Sequence, residues 1–310
     1  MQITIPIPPE FSFRRTVLSH GWCDLAPFTF DEAAWTLTRV LEVGAARPVT
    51  ATITEGRGTL EVNFSENLRG AAQERLKRAV RHIFRLDDDL TEFYTLVADE
   101  PDFAWIVQAG AGRLLRGPSV FEDLVKTICT TNCSWAMTKK MVAALVTLGA
   151  ETADGRRAFP TPEAIAAQPE AFYRDTVRAG YRAPYFRELA ERVLSGELDV
   201  ESWLSQDLPA GKLKKEMKRV KGVGDYAAEN LLKLVGRYDG LTLDSWVRPQ
   251  FAKKHQGGVT CDDATIAAYY ERFGAWRGLA LWCDMTHAWL DDKPPADEVS
   301  NLNMVGKVGE

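Results

Sequence analysis

Residues 213–232 read Leu213-Lys214-Lys215-Glu216-Met217-Lys218-Arg219-Val220-Lys221-Gly222-Val223-Gly224-Asp225-Tyr226-Ala227-Ala228-Glu229-Asn230-Leu231-Leu232. The pattern is helical up to Val220, breaks at Gly222 and Gly224, and resumes as a second helix with Asp225 in its first turn. The two glycines are expected to take backbone φ values closed to other residues. A turn of this kind leaves several N–H groups without intrahelical partners, a small positive site at a helix N-terminus where a phosphate can sit. Taken alone, Gly-Val-Gly is equally well the turn of an ordinary αα-hairpin. Its surroundings favour the anion. Between Gly211 and Arg237, eight basic residues (Lys212, Lys214, Lys215, Lys218, Arg219, Lys221, Lys233, Arg237) stand against Glu216, Asp225 and Glu229, a local charge of +5. Basic side chains around exposed amides suit a nucleic-acid backbone, in a contact indifferent to sequence and sensitive to salt.

Outward from the hairpin the chain reads as helical from about Gly117. Ser119-Val120-Phe121-Glu122 has the form of a capping box, and the helix it opens carries Phe121, Leu124, Val125, Ile128 and Cys129 on one face. Thr161-Pro162-Glu163 opens a short helix with Pro at its first position. Further helices are predicted over 169–178, 185–194, 200–205, 213–220 and 225–235, with two more within 262–290. The first hundred residues differ. Runs at 11–18, 35–43, 49–54 and 59–64 are rich in β-branched and aromatic residues, and glycine-bearing breaks such as Glu55-Gly56-Arg57-Gly58 separate them. They predict an antiparallel sheet, followed by a helix with Leu76, Val80, Ile83 and Phe84 on one face. The fold class is therefore α+β: an N-terminal antiparallel β-sheet domain (1–110), a mainly α-helical body (111–290), and a polar, aperiodic tail (291–310) expected to be disordered.

The global composition mostly excludes things. The chain has 310 residues, 45% hydrophobic, enough for one or two ordinary domains. No run approaches the roughly 20 apolar residues that span a bilayer. The first residues lack a basic region and apolar core, so no signal peptide and a cytoplasmic location are expected. Five cysteines (Cys23, Cys129, Cys133, Cys261, Cys283) are sparse and odd in number, which argues for buried thiols and against a disulfide framework. The net charge of −5 looks unfavourable for a polyanion, yet residues 211–254 carry +6 and the remainder −11. Net charge governs non-specific attraction, whereas a binding site depends on local charge.

The segment 221–228, followed by Leu241-Thr242-Leu243-Asp244-Ser245-Trp246-Val247-Arg248, resembles the signature of the helix-hairpin-helix (HhH-GPD) DNA glycosylase superfamily. In that family the hairpin leads into a Gly/Pro-rich loop and an aspartate; here Tyr226 to Asp244 is 18 residues. Gly112-Arg113-Leu114-Leu115-Arg116, Ile128-Cys129-Thr130-Thr131-Asn132 and Gly180-Tyr181-Arg182-Ala183-Pro184-Tyr185 resemble the 8-oxoguanine glycosylase branch. The resemblance implies a monomeric enzyme of base excision repair, acting on double-stranded DNA that contains a damaged, alkylated or oxidised base. Lys218, Lys221, Gly222, Val223, Gly224 and Arg248 would meet the DNA, and Asp244 would be the catalytic carboxylate. Breaking an N-glycosidic bond through an oxocarbenium-like state needs such a carboxylate beside the sugar. An aspartate before a helix is also a common N-cap, and the two roles are compatible.

Two departures from the family pattern refine the expectation. Members that also cut the backbone place a Schiff-base lysine where this chain has Tyr226, which implies a monofunctional enzyme using water, as in the 3-methyladenine glycosylase II branch. Lys221 and Lys233 read as phosphate contacts or solvated charge. The flipped base needs a pocket. There Asn132 matches the residue that touches the orphaned partner base, Trp246 replaces the pocket histidine, and Leu281 and Met285, with Trp282 between them, replace a glutamine and a phenylalanine. The result is an aromatic, apolar slot suited to stacking. Trp246, Trp276 and Trp282 read equally well as core residues, Trp276 more than the other two. No cofactor is expected: the cysteine spacing supports no iron–sulfur cluster, although the hairpin carbonyls could hold a monovalent cation, as the resemblance implies. The rivals are an 8-oxoguanine-type glycosylase with an altered pocket, and a non-catalytic helix-hairpin-helix module that binds damaged DNA.

Overall fold

The computed structural model describes residues 1–44 and 46–289; the expectation for the tail at 291–310 lies outside the described residues. Its chain forms two compact units, each assembled from separate stretches. The first comprises Met1–Asp88, Arg113–Glu122 and Lys139–Glu201, and the second Asp89–Gly112, Asp123–Thr138 and the described residues from Ser202 on.

The first unit is built on a five-stranded antiparallel sheet in the order β1-β5-β4-β3-β2, with β1 at Gln2–Pro6, β2 at Phe28–Asp31, β3 at Thr36–Leu41, β4 at Val49–Gly56 and β5 at Thr59–Phe64. Directly paired residues share a face, so the register draws one apolar row across all five strands: Ile3, Val62, Ile53, Leu37 and Phe30. The first four are buried. Arg57 and Gly58 form the two-residue turn between β4 and β5, with Gly58 at φ +70°. Arg39 breaks the alternation, because it lies on the same side of β3 as Leu37 and is 1% exposed. Its guanidinium is held there by Glu122, with Nη1 donating to Oε1 at 2.8 Å and Nη2 to Oε2.

Two expectations for this region are corrected. The run 11–18 is not a strand: Phe13–Val17 forms helix α1, Ser12 Oγ accepting from the Arg15 amide at 3.3 Å. Phe13, Thr16 and Val17 are its buried residues, a helical spacing that outweighs the β-branched composition. Conversely, β1 and β2 were not anticipated, although Ile3 and Ile5 alternate cleanly with polar neighbours.

The helices are α2 Ala71–Ile83, α3 Thr91–Ala98, α4 Trp105–Gln108, α5 Val120–Thr130, α6 Trp135–Val146, α7 Pro162–Ala166, α8 Ala183–Leu194, α9 Ala210–Met217, α10 Asp225–Leu234, α11 Val247–His255, α12 Asp263–Tyr270 and α13 Arg277–Thr286. The predicted helix at 169–178 contains a π-helical turn at Phe172–Thr176, and that at 200–205 a 3₁₀ turn at Glu201–Leu204. At the start of α5 the serine half of the capping box forms, Ser119 Oγ accepting from the Glu122 amide at 3.2 Å. The Glu201 carboxylate takes the Val120 and Phe121 amides at 3.0 and 2.9 Å, while Glu122 serves Arg39. Thr161 caps α7 as expected.

In the second unit, aromatic packing organises the helices. Trp276 stacks between Phe93 (5.6 Å between centroids) and Tyr238 (5.3 Å), which makes it a packing residue. Asp284 of α13, fully buried, accepts from His255 at 2.7 Å and Tyr270 at 2.5 Å and pairs with Lys254 at 2.5 Å. Burial pushes its carboxyl up, but these hydrogen bonds more than offset that and leave it below the ordinary range. The network ties α11 and α12 to α13. All five cysteines are free, with Cys23, Cys129 and Cys283 buried and Cys133 and Cys261 half-buried. No described helix is long and apolar enough to cross a membrane.

Candidate active site

The decisive hairpin forms α9 and α10. Only Gly222 takes a left-handed conformation, at φ +88°. Gly224 is at φ −87°, ψ −170°, an ordinary extended residue, so the expectation that both glycines need special φ values is corrected for it. A Cβ on Gly224 would meet nothing within 4 Å, so the protein itself imposes no steric demand there. Val223 is buried under the turn, while Lys221 and Gly224 are exposed.

The basic residues of the hairpin differ in their surroundings. Lys212, Lys215, Lys218, Arg219 and Lys221 are exposed. Lys218 pairs with Asp225 at 3.0 Å, and Lys214 bridges Asp225 (3.1 Å) and Glu229 (2.6 Å). These lysines hold the exposed Asp225 carboxyl below its usual range. Lys233 is only 4% exposed, which overturns its reading as solvated charge or a phosphate contact. Its ammonium donates to Thr242 Oγ1 at 2.7 Å and lies 5.2 Å from the centre of the Trp282 ring. Burial pulls its pKa down to about 8, while the negative charges of Glu229 and Asp244 hold it up.

The loop from α10 to Asp244 runs where side chains are not tolerated. A Cβ on Gly240 would lie 1.8 Å from Glu229 Oε2. One on Gly278, in α13, would lie 2.1 Å from the Gly240 carbonyl oxygen and 2.6 Å from that of Tyr238, which accepts from the Gly278 amide at 2.6 Å. Glu229 and Lys233, one helical turn apart, thus contact loop positions 240 and 242, and the next alternate position is Asp244.

Asp244 is half-buried. Oδ1 accepts from the amides of Trp246 (2.9 Å) and Val247 (2.7 Å) at the start of α11, and among the described residues no hydrogen-bond donor reaches Oδ2. Burial pushes its carboxyl above the ordinary range; the two amides and the charges of Lys233 and Arg248 oppose the shift. The aspartate is therefore a cap whose second oxygen is available. Arg248 makes a two-pronged pair with Asp263 at 2.7 and 3.0 Å. Burial and the nearby Asp244 charge push the Tyr226 phenol up, so it stays protonated. The Cys133 thiol also acts on Tyr226, which brings the 131–134 turn to this end of α10. In that turn Asn132 is exposed at φ +45°.

Trp246 and Trp282 come together, with ring centroids 6.0 Å apart and planes at 49°. Trp289, which the sequence analysis did not single out, completes a triangle at 5.8 and 5.9 Å. A base sandwiched between two rings needs planes about 7 Å apart, so the mutual contact of Trp246 and Trp282 leaves no base-wide gap between those two rings. Leu281 and Met285 of α13 are buried. Among the described residues no three His, Cys, Asp or Glu side chains gather where a metal ion could be held.

The chain has the fold of solved DNA glycosylases, the fold that the sequence resemblance implied. No protein-family model matches the sequence. Over 227 residues, 65% of this chain and 71% of the relative, the sequence is 26% identical to the probable N-glycosylase/DNA lyase of Methanothermobacter thermautotrophicus. Among solved structures, the 3-methyladenine DNA glycosylase of Archaeoglobus fulgidus superposes with a TM-score of 0.72 at 19% identity, covering 93% of this chain and 99% of that one. The 8-oxoguanine glycosylase/lyase of Clostridium acetobutylicum, in complex with double-stranded DNA carrying cytosine opposite 8-oxoguanine, gives 0.70 at 21% identity, covering 91% and 93%.

Proposed function

We propose that the protein is a monofunctional DNA glycosylase that flips a damaged, alkylated or oxidised, base out of double-stranded DNA and excises it by hydrolysis. The observation that carries this reading is Asp244, with one oxygen fixed by two backbone amides and the other reached by no donor among the described residues, in the loop leading from a basic hairpin. As the bond from C1′ to the base breaks, its electron pair leaves with the base and positive charge develops on the sugar. A rigid carboxylate stabilises that charge and orients the water whose oxygen adds to C1′. Burial makes Asp244 a stronger base than a solvated carboxylate, which favours acceptance of the water's proton.

Tyr226 stands where the sequence resemblance implies a Schiff-base lysine, and a phenol has no amine with which to form an iminium. This supports hydrolysis without backbone cleavage. The exposed lysines of the hairpin, with Gly222 and Gly224 in the turn, supply a phosphate contact, and the outer faces of the Trp246, Trp282 and Trp289 cluster offer a stacking surface for the flipped base.

The test is a panel of duplex oligonucleotides, each with one lesion, incubated with protein and analysed with and without alkali. Strand breaks only after alkali are expected for at least one alkylated or oxidised base. Breaks without alkali, accompanied by a borohydride-trapped adduct, would replace the monofunctional reading with a lyase like the one named in the Methanothermobacter relative. Binding to the lesions with no abasic product would leave a non-catalytic module.

A further inference from the structure

Lys233 is the one cation sealed inside the hairpin, and the hydrolysis proposed above assigns it no part. We infer that Lys233 is a positioning residue for that reaction, holding the loop that carries Asp244 and keeping the Asp244 carboxyl ionised in its half-buried place. The inference rests on the glycosylase reading for its catalytic meaning, but the charge coupling itself does not need DNA.

Three observations converge on it. First, Lys233 is 4% exposed and its Nζ donates to Thr242 Oγ1 at 2.7 Å, two residues before Asp244. A buried ammonium is costly unless negative charge compensates it, so its presence here requires an anionic partner. Second, the anions acting on it are Glu229 and Asp244, and Glu229 is already engaged by Lys214 at 2.6 Å and wedged against Gly240. Glu229 acts the more strongly of the two but is shared with Lys214, and Asp244 is the other anion that holds the ammonium charged. Third, Asp244 takes both of its hydrogen bonds on Oδ1, from neutral amides. Stabilisation of the charged form beyond these amides comes from Lys233 and from Arg248, and Arg248 is exposed and bound to Asp263. Along α10, Asp225, Glu229 and Lys233 follow one another at four-residue spacing, and with Lys218 and Lys214 they make an alternating series of charges from the exposed turn to the carboxylate.

Among the described residues, the charged and titratable groups facing this pair include Glu229 and Tyr226 from α10, Lys214 from α9 and Arg248 from α11; Trp282 lies on the α13 side of Lys233. An opposite charge nearby lowers a carboxyl's pKa, so removing Lys233 leaves Asp244 with burial less opposed. The sealed position of Nζ also argues against Lys233 as a nucleophile on the sugar.

The test uses the full chain with carbon-13 at aspartate carboxyls, the Asp244 signal being assigned by its loss in Asp244→Asn. In the unmodified protein, that signal is expected to titrate once in the acid range and to shift again near pH 8, where Lys233 loses its proton. In Lys233→Met the acid midpoint is expected to rise by about one pH unit. The acid limb of single-turnover excision should rise with it, a roughly tenfold loss of rate below the limb. Lys233→Arg, which keeps the charge, should hold both near the parent values. An unmodified protein whose Asp244 signal is flat between pH 7 and 9, or a Lys233→Met midpoint equal to the parent's, overturns the proposal. A borohydride adduct that maps to Lys233 overturns it in favour of a nucleophile. If the parent excises no base while the Asp244 signal still follows Lys233, the activity reading fails and the coupling stands.

Discussion

Asp244 combines two tasks that pull its chemistry in different directions. As a cap it gains from ionisation, through two backbone donors; as a half-buried group it loses by it, and burial prevails in raising its pKa. A group whose folded pKa is raised costs stability once it ionises: the penalty is absent at pH values below its unfolded pKa and complete above its folded pKa. Asp244→Asn keeps a good capping side chain and removes the charge. The expected outcome is a loss of at least about 10²-fold in single-turnover excision with a melting temperature equal to or above the parent's near pH 7. A variant that melts several degrees lower would show that the aspartate is retained for structure. The capping role of Asp244 is legible in the sequence, because a motif and its spacing are local. Lys233 is not, because burial of a lysine at the end of a basic helix depends on residues 9 and 49 positions further along the chain, Thr242 and Trp282.

At the level of elements, the active loop is set by close approaches between glycines and their neighbours. Gly278 of α13 meets backbone: a methyl there would press into the carbonyl oxygens of Gly240 and Tyr238. Gly240 meets the end of a glutamate side chain, which can move. Gly278→Ala is therefore expected to destabilise the protein by about 1–3 kcal/mol, measured by urea unfolding, and to impair excision by displacing the loop. Gly240→Ala should cost less, and Glu229→Ala should relieve part of that cost. Equal destabilisation by the two alanines would show that the loop yields as a whole. The predicted helices largely formed because apolar periodicity is repeated along each of them. The run 11–18 forms a helix because the helical spacing of Phe13, Thr16 and Val17 outweighs its β-branched composition, and β1 leaves little trace in the sequence because five residues carry little pattern. Trp246 and Trp282 are both legible as aromatic residues in the sequence, but their ring-to-ring contact, between the start of α11 and α13, depends on tertiary packing.

For the molecule as a whole, an acidic total conceals a basic segment. Five exposed cations lie between Lys212 and Lys221, and each that meets a phosphate should add about −0.9 to the slope of log affinity against log salt. Binding to undamaged duplex is expected to be modest and to fall quickly with salt, with Lys221→Gln reducing the slope by about one contact and Lys233→Met leaving it unchanged. Affinity insensitive to salt would remove the hairpin from the interface. By itself the sequence determined the hairpin, the tyrosine at 226, the aspartate 18 residues beyond it and the charge asymmetry, because each depends on residue type at a fixed local spacing. Only the tertiary structure decided that Lys233 faces inward towards Asp244, that Glu229 and Gly240 interlock, and that three tryptophans close on one another. These depend on desolvation and contact between distant segments, which set a side chain's charge state and surroundings and leave no periodic trace in the chain.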